Sequence, residues 1–144
     1  MDWLTGFVEG EDAVVAFRAA ILADPHSINS YNELGLHLHK LNRLEEASRV
    51  FSSALALRPQ VSALLNNAAM VANDLGDGER ASEMYLAAFR LDPRAMVATL
   101  QQSCELKASL GKTKEAIVLW DAASAIQPAL HHRAGISLLN VRNI

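Results

Sequence analysis

Prolines recur at a nearly constant spacing along this chain. The intervals are 34, 34 and 35 residues between Pro25, Pro59, Pro93 and Pro128. Each proline closes the same ordered set of small and aromatic residues, which the second copy fills with Ala47, Phe51, Ala54 and Pro59. A fixed period of this size is the signature of a repeat architecture. The chain is therefore predicted to build its fold from stacked copies of one unit rather than around a single central core.

The first half of each copy also has a recurring pattern. In the copy that ends at Pro59, it places large and small residues at Tyr31, Leu34, Gly35 and Leu38. The spacing of i, i+3, i+4 and i+7 puts these residues on one face of an α-helix. The alanine and aromatic positions before the proline have similar helical spacing. Each copy is therefore predicted to contain two helices, and the fold class is predicted to be all-α.

Short polar or glycine-containing segments separate the two helices of each copy. They are Asn42-Arg43, Gly76-Asp77-Gly78 and Gly111-Lys112, in which glycine can supply the left-handed dihedrals of a helix end. Turns this short force neighbouring helices into antiparallel hairpins. The predicted helix pairs are 28–41 with 44–57, 62–75 with 78–91, and 96–110 with 113–126.

These positions together resemble the tetratricopeptide repeat, whose aromatic, Leu-Gly, aromatic, Ala, aromatic, Ala and Pro positions occur here in the same order. The resemblance covers about residues 13–128. Departures occur at Ala68-Ala69, at Ser103-Cys104 and at Lys107, where the family usually has Leu-Gly or an aromatic residue. The resemblance implies antiparallel hairpins stacked in a right-handed superhelical solenoid. It also implies a concave groove lined by the first helix of each hairpin.

In this register the whole chain, 1–144, is predicted to be a single domain of this type. Phe7 falls at the place of Leu41, Leu75 and Leu110, so residues 3–8 are predicted to end a first helix that is separate from a second one over 11–24. The predicted divisions are a partial first hairpin over 1–25, repeats over 28–59, 62–93 and 96–128, and a C-terminal capping helix over 130–144.

The candidate binding residues lie on the helix face opposite the packing residues, because consecutive residues are about 100° apart around a helix. On the first complete hairpin this face is polar with one leucine, and the equivalent faces of the next two hairpins are similar. The predicted peptide-binding groove consists of Asn29, Asn32, Leu36, His39, Asn66, Asn67, Met70, Asn73, Gln101, Gln102 and Glu105. Its primary amides could match the donors and acceptors of an extended peptide backbone. Alternatively, they are ordinary polar residues on a solvated face.

Composition and charge argue against several other classes of partner. The formal net charge is −3 and the chain has no lysine or arginine run, so we expect no nucleic-acid binding. No uninterrupted apolar window of about 18 residues occurs, so we expect no membrane span. The first residues lack the basic leader of a secretory signal, and a cytoplasmic location is the default expectation.

No pattern of catalytic or metal-binding residues emerges from the sequence. His37 and His39 are two residues apart on a predicted helix and point to different sides, while His131 and His132 are adjacent. Cys104 occupies a small-residue packing position, where we expect a buried, unreactive thiol. The chain also lacks a nucleophile elbow and a phosphate-binding glycine loop. We expect no catalytic residue, no metal, no cofactor and no enzymatic activity.

The predicted function is that of a protein-interaction scaffold, which binds a partner peptide or protein segment in the groove. Two alternatives stay open: a structural subunit that docks through the ends of the solenoid, and the recognition arm of a larger enzyme. Trp3, Leu4 and Phe7 could mediate self-association, or they could fold over the helix 11–24 as a cap.

Overall fold

A computed structural model describes the backbone of residues 3–129 and the side chains from Gly10 onward. Within these residues the chain forms seven α-helices and no strand. They are α1 Trp3–Ala23, α2 Ile28–Lys40, α3 Leu44–Leu57, α4 Ser62–Asp74, α5 Gly78–Leu91, α6 Pro93–Ser109 and α7 Thr113–Ile126. The all-α prediction is confirmed, whereas the predicted capping helix over 130–144 lies outside the described residues.

The chain divides into two compact units, with the boundary between Met84 and Tyr85 inside α5. The first unit contains α1 to α4 and the start of α5. The second contains the end of α5 with α6 and α7. Each unit is described by itself below, and one continuous domain over 1–144 stays a prediction.

The α2–α3 hairpin forms where its sequence signals indicate. Ser27 caps the start of α2, and its hydroxyl oxygen accepts a hydrogen bond of 3.4 Å from the Ser30 backbone N–H. At the other end, Asn42 adopts a left-handed φ of 59°, and the Arg43 N–H donates to the Leu38 carbonyl at 2.9 Å. This tight turn leads directly into α3, so the predicted pair 28–41 with 44–57 is confirmed within a residue or two.

The closest packing in the first unit brings Gly35 of α2 against Phe51 of α3. Phe51 is fully buried, and a Cβ added at Gly35 would lie 2.7 Å from its Cε1 and Cε2 atoms and closer still to Cζ. Only glycine lets the ring cross α2 at this distance. The buried core around this contact consists of Val14, Leu34, Leu38, Ala47, Phe51, Ala54, Leu64, Ala68 and Val71.

The prediction of a turn between residues 8 and 11 is wrong. α1 runs without a break from Trp3 to Ala23 and includes Gly10, so one long helix occupies most of the predicted partial hairpin over 1–25. A glycine inside a helix costs only about 1 kcal/mol relative to alanine, which tertiary packing can offset. Here Gly10 gives room to Leu41, whose Cδ2 atom would lie 2.8 Å from an added Cβ.

The start of α6 is also earlier than predicted. The repeat pattern makes Pro93 the residue that closes a copy, but in the structure it is the first residue of α6, three positions before the predicted start at 96. Its fixed φ suits a first helical turn, where the missing N–H costs no hydrogen bond. The Asp92 carboxylate caps the helix by accepting a hydrogen bond of 3.3 Å from the Ala95 N–H.

The second unit has its own core, in which α6 packs against α7. Gly111, with a φ of 80°, forms the turn between them, as predicted. Lys107 of α6 is only 3% exposed, and its Nζ lies 3.6 Å from Oε2 of Glu115 on α7. The buried core residues are Phe89, Leu100, Cys104, Ala108, Ala116, Leu119, Trp120 and Ala123.

Four charged side chains connect α1 to α3 at the surface of the first unit. The Arg43 guanidinium donates to both Glu46 carboxylate oxygens, at 2.8 and 2.7 Å, and to Glu11 Oε1 at 2.6 Å. Arg18 adds a contact of 3.2 Å to Glu46 Oε2. The hydrogen bond from Arg43 is the largest factor that lowers the pKa of Glu46 below its usual value. This network holds α1 and the α2–α3 turn together.

Replacing Gly35 with alanine is expected to lower the free energy of unfolding by about 1 to 3 kcal/mol, because the buried Phe51 ring leaves no room for a methyl group. Gly10→Ala is the matched control, since its Cβ meets only the tip of the Leu41 side chain. Better helix propensity should leave that variant equally or more stable. Urea unfolding followed by circular dichroism measures both, and a Gly35→Ala protein as stable as the wild type would contradict the assigned contact.

Replacing Glu46 with glutamine is expected to destabilise the protein at neutral pH and not in acid. The lowered pKa means that the ionised Glu46 stabilises the folded state above the unfolded pKa of about 4.3, and that this contribution disappears as the pH falls through the folded value. Urea midpoints of the wild type and Glu46→Gln should therefore differ at pH 7 and converge well below pH 4. Glu45→Gln, an exposed neighbour, is the control; an equal effect of both substitutions at pH 7 would rule out a specific role for the network.

Candidate functional site

The predicted groove residues of the first unit lie on α2 and α4, which contact each other across the hairpin boundary. Both helices also pack against α3, whose Phe51 closes the core beneath them. The groove face of α2 is largely opposite the residues that pack into that core, although Leu36 on this face also packs against it. The following contacts show which of the predicted residues the structure brings together.

A hydrogen bond between two amides joins the helices. Asn67 Nδ2 donates to Asn32 Oδ1 at 2.7 Å, and both side chains are half-buried. Asn66 lies one repeat period of 34 residues after Asn32, but the partner of Asn32 is the next residue, Asn67. The pair therefore spans 35 residues, one more than the repeat period.

His39 and Asp74 form a second bridge at the other end of the same helices. His39 Nε2 lies 2.6 Å from Asp74 Oδ2, and this pair also spans 35 residues. Asp74 was missed by the sequence analysis, which selected Asn73 because it lies one period after His39. A one-position offset between neighbouring first helices explains both bridges, and the same offset applied to His39 would have found Asp74.

Asn66 differs from the other amides of this face. Its Oδ1 atom is buried, and no described residue donates a hydrogen bond to it. An unpaired buried carbonyl oxygen is costly, typically by about 1 to 3 kcal/mol, and native structures rarely keep one without a reason. Because this oxygen is shielded, the Asn66 amide has to rotate before a donor from a bound molecule or water can reach it.

The remaining predicted residues of the first unit surround these amides. Leu36 and Met70 are half-buried, and Leu36 packs against the core cluster. Asn29 is exposed at the start of α2, and Asn73 is half-buried near the end of α4. The face therefore combines amide groups with two apolar side chains.

The last three predicted groove residues are on α6, in the second unit. Gln101 Nε2 donates to Glu105 Oε1 at 3.2 Å, one turn along the same helix, and Gln102 is exposed. In the first unit the amide of Asn32 pairs across helices, whereas Gln101 pairs within its own helix. Asn32, Asn66 and Gln101 occupy equivalent places in the three predicted repeats, and an alignment of their amides along one groove stays a prediction.

Cys104 lies where the sequence analysis expected it, inside the α6–α7 pair. It is 2% exposed, and burial raises the pKa of its thiol to about 12. A neutral, inaccessible thiol is a poor nucleophile. This side chain therefore serves packing.

The histidines of the described region are dispersed. His37 Nδ1 lies 3.0 Å from the Glu33 carbonyl oxygen, and its ring stacks at a tilt 5.0 Å from Phe17, away from the His39–Asp74 bridge. No cluster of three or more histidine, cysteine or acidic residues that could hold a metal occurs among the described residues. His131 and His132 lie outside them.

Comparison with solved structures identifies the class of fold. Solved structures with the same helical-repeat fold include two of MamA. One has a TM-score of 0.67 at 18% identity and covers 85% of this chain and 71% of its own. The other has a TM-score of 0.70 at 16% identity and covers 94% of this chain and 73% of its own. A thermophilic TPR protein of Thermus thermophilus has a TM-score of 0.65 at 21% identity, over 93% of this chain and 75% of its own. The fold is that of an all-α solenoid of helical hairpins.

Sequence comparison names the family. The tetratricopeptide repeat family model matches residues 28–61 and 62–94. A TPR repeat-containing protein of Treponema pallidum (strain Nichols) is 30% identical over 107 residues, which cover 74% of this chain. The chain belongs to the tetratricopeptide repeat family, and the resemblance seen in the sequence is confirmed.

A second relative carries a more specific name. The peroxisomal targeting signal receptor of Kluyveromyces lactis is 27% identical over 127 residues, which cover 88% of this chain. The chain spans only 13% and 22% of the length of these two curated relatives. Among the described residues, no helix combines the length and apolar character that crossing a membrane requires.

The burial of Cys104 gives a direct chemical test. Since this is the only cysteine of the chain, its reaction with a chromogenic thiol reagent can be followed without ambiguity. We expect the native protein at pH 8 to react at least about 100-fold more slowly than the protein in urea, because the thiol is both shielded and held neutral. Equal native and denatured rates would place Cys104 at the surface.

Proposed function

We propose that this chain is a protein-interaction scaffold that binds an extended partner segment along the groove face of α2 and α4. The observation that carries the proposal is the unpaired, buried Oδ1 of Asn66 beside the Asn32–Asn67 hydrogen bond. A solvated polar face would leave its carbonyl oxygens open to water. Oδ1 of Asn66 is instead shielded and has no donor among the described residues, and a rotation of this amide on binding would present it to an N–H group of the partner.

The neighbouring amides are suited to the same task. Asn67 uses one of its two N–H groups on Asn32, and Asn32 uses one lone pair, so each amide keeps further donors and acceptors. The mutual hydrogen bond holds both groups in place before a partner arrives, which reduces the entropy lost on binding. Leu36 and Met70 add apolar surface beside them. The expected ligand is a main chain with varied side chains, of which one or two are apolar.

The comparisons support an interaction role in general terms. Tetratricopeptide repeats generally act as non-catalytic scaffolds that bind protein partners, and one relative is named as a targeting signal receptor. By extension we propose that this chain recruits a protein rather than catalyses a reaction. We also propose that it does so in the cytoplasm. Docking through the solenoid ends and a role as the recognition arm of a larger enzyme stay alternatives. The side chains of Trp3, Leu4 and Phe7, on which end docking would depend, lie outside the described residues.

Binding through the groove can be tested with single substitutions. The immobilised chain captures partners from a native extract, mass spectrometry identifies them, and the bound segment is synthesised for calorimetric titration. Asn66→Ala should lower the affinity for that segment by about 2- to 12-fold, which corresponds to the loss of about 0.5 to 1.5 kcal/mol for one hydrogen bond. Protein stability should not fall, because no described residue loses a hydrogen bond to Oδ1.

Ser52→Ala on α3 is the control for this experiment, because Ser52 is exposed and is not one of the groove residues. It should leave affinity unchanged. A further variant carries alanine at Asn32, Asn66 and Gln101. If it stays folded and keeps full affinity, the groove is not the binding site. The ends of the repeats or another face would then have to bind the partner.

A further inference from the structure

A cleft with a volume of about 530 Å³ lies in the first unit, on a different surface from the groove. Its walls come from α1 and α3, and α2 forms its floor. The lining residues are Arg18, Ile21, Leu22, Tyr31, Leu34, Glu46, Arg49, Val50 and Ser53. The volume falls within the range of about 300 to 1,000 Å³ that is usual for ligand pockets.

The cleft and the groove use opposite faces of α2. Tyr31 and Leu34 form the cleft floor, whereas Asn32, Leu36 and His39 belong to the groove face. With about 100° between consecutive residues, the centres of the two faces are about 140° apart around the helix. A molecule in the cleft would therefore not contact the groove amides.

The cleft presents apolar surface to solvent. Leu22 is 84% exposed at its edge, and Ile21 and Val50 are half-buried along its sides. The Tyr31 hydroxyl donates to the Pro25 carbonyl at 3.3 Å, which fixes the ring in the floor. An exposed leucine alone is unremarkable, but here it borders a concave apolar surface, where an apolar side chain from a partner could be buried.

The rim of the cleft carries positive charge. Both carboxylate oxygens of Glu46 already accept hydrogen bonds from Arg43 at 2.8 and 2.7 Å, so this acid is largely neutralised by a residue outside the cleft. Arg18 contacts Glu46 Oε2 at 3.2 Å and remains 51% exposed. Arg49 is exposed and forms no ion pair with a described residue. Two arginines thus line an apolar cleft in a chain whose net charge is −3.

We propose that this cleft is a second docking surface, which takes a protein segment carrying an apolar side chain next to a carboxylate. The apolar side chain would lie between Leu22 and Val50, over Tyr31. The carboxylate would reach Arg49, and Arg18 could join it because its present contact is long and solvent-exposed. The positive rim selects an acidic partner over a basic one by charge complementarity.

Two matched sets of short peptides test the proposal. Each peptide of the first set carries one leucine or phenylalanine and two glutamates, at spacings of one to four residues; the second set has lysine in place of glutamate. Amide proton–nitrogen NMR spectra of the labelled full chain locate binding. We expect acidic peptides at about 1 mM to shift the amides of Ile21, Val50 and Ser53 more than basic ones. Absence of such shifts with every acidic peptide would overturn the proposal.

Charge reversal at one arginine supplies the second readout. Arg49→Glu should lower the affinity for the acidic peptide by about 3- to 10-fold and raise the affinity for its lysine counterpart, because this side chain reaches the ligand from an exposed position. Arg58→Glu, at the end of the same helix and outside the cleft, should change affinity less than about 2-fold. Equal effects of the two reversals would show that only overall charge matters.

Leu22→Ser tests the apolar half of the site and should also lower the affinity for the acidic peptide. The variant should still fold, because Leu22 is highly exposed. Asn66→Ala separates the cleft from the groove: it should leave peptide binding in the cleft unchanged. Acidic peptides that instead shift the amides of Asn32 and Asn66, and that lose affinity in Asn66→Ala, would assign acid recognition to the groove and contradict the proposal.

Discussion

The close contact between Gly35 and Phe51 is the constraint on which the first unit depends. A glycine at this position lets the α3 ring lie directly on the α2 backbone, and the ring in turn is surrounded by the buried core. One face of α2 is thereby fixed against α3. Its other residues then have defined directions, towards α4 on one side and towards α1 on another. The groove amides and the floor of the cleft are both consequences of that single packing choice.

Local signals explain how much of the fold could be predicted. The helical spacing and the short turns specify hairpins within about 30 residues of sequence, and the α2–α3 and α6–α7 hairpins are correctly predicted. The errors come from residues that have two possible roles. The register of Phe7 predicts the end of a helix just before Gly10, but Gly10 lies inside α1 and accommodates Leu41. The repeat pattern predicts that Pro93 terminates a helix, although a proline equally suits the first position of the next one.

The candidate site was harder to predict, because it depends on how neighbouring helices are offset. Helical periodicity identifies residues that share a face, and the predicted set on α2 and α4 includes Asn32, Asn67 and His39. It cannot show which residues meet across the boundary between copies. The structure pairs residues 35 positions apart, so Asn32 meets Asn67 rather than Asn66, and His39 meets Asp74. The Oδ1 atom of Asn66 has no partner among the described residues, and the functional proposal uses that feature.

The two proposed surfaces have different physical characters because α2 separates them. The groove presents amides held by hydrogen bonds, which suit the uniform chemistry of a peptide backbone. The cleft presents apolar walls and arginines, which suit particular side chains. Between them lies a packed core in which the Phe51 ring lies directly against the α2 backbone at Gly35. Asn66 and Arg49 share no partner in the structure, and substitutions at separate, unconnected sites usually add. The first unit could therefore hold two segments at once, each with its own affinity, as a scaffold that brings two chains together requires.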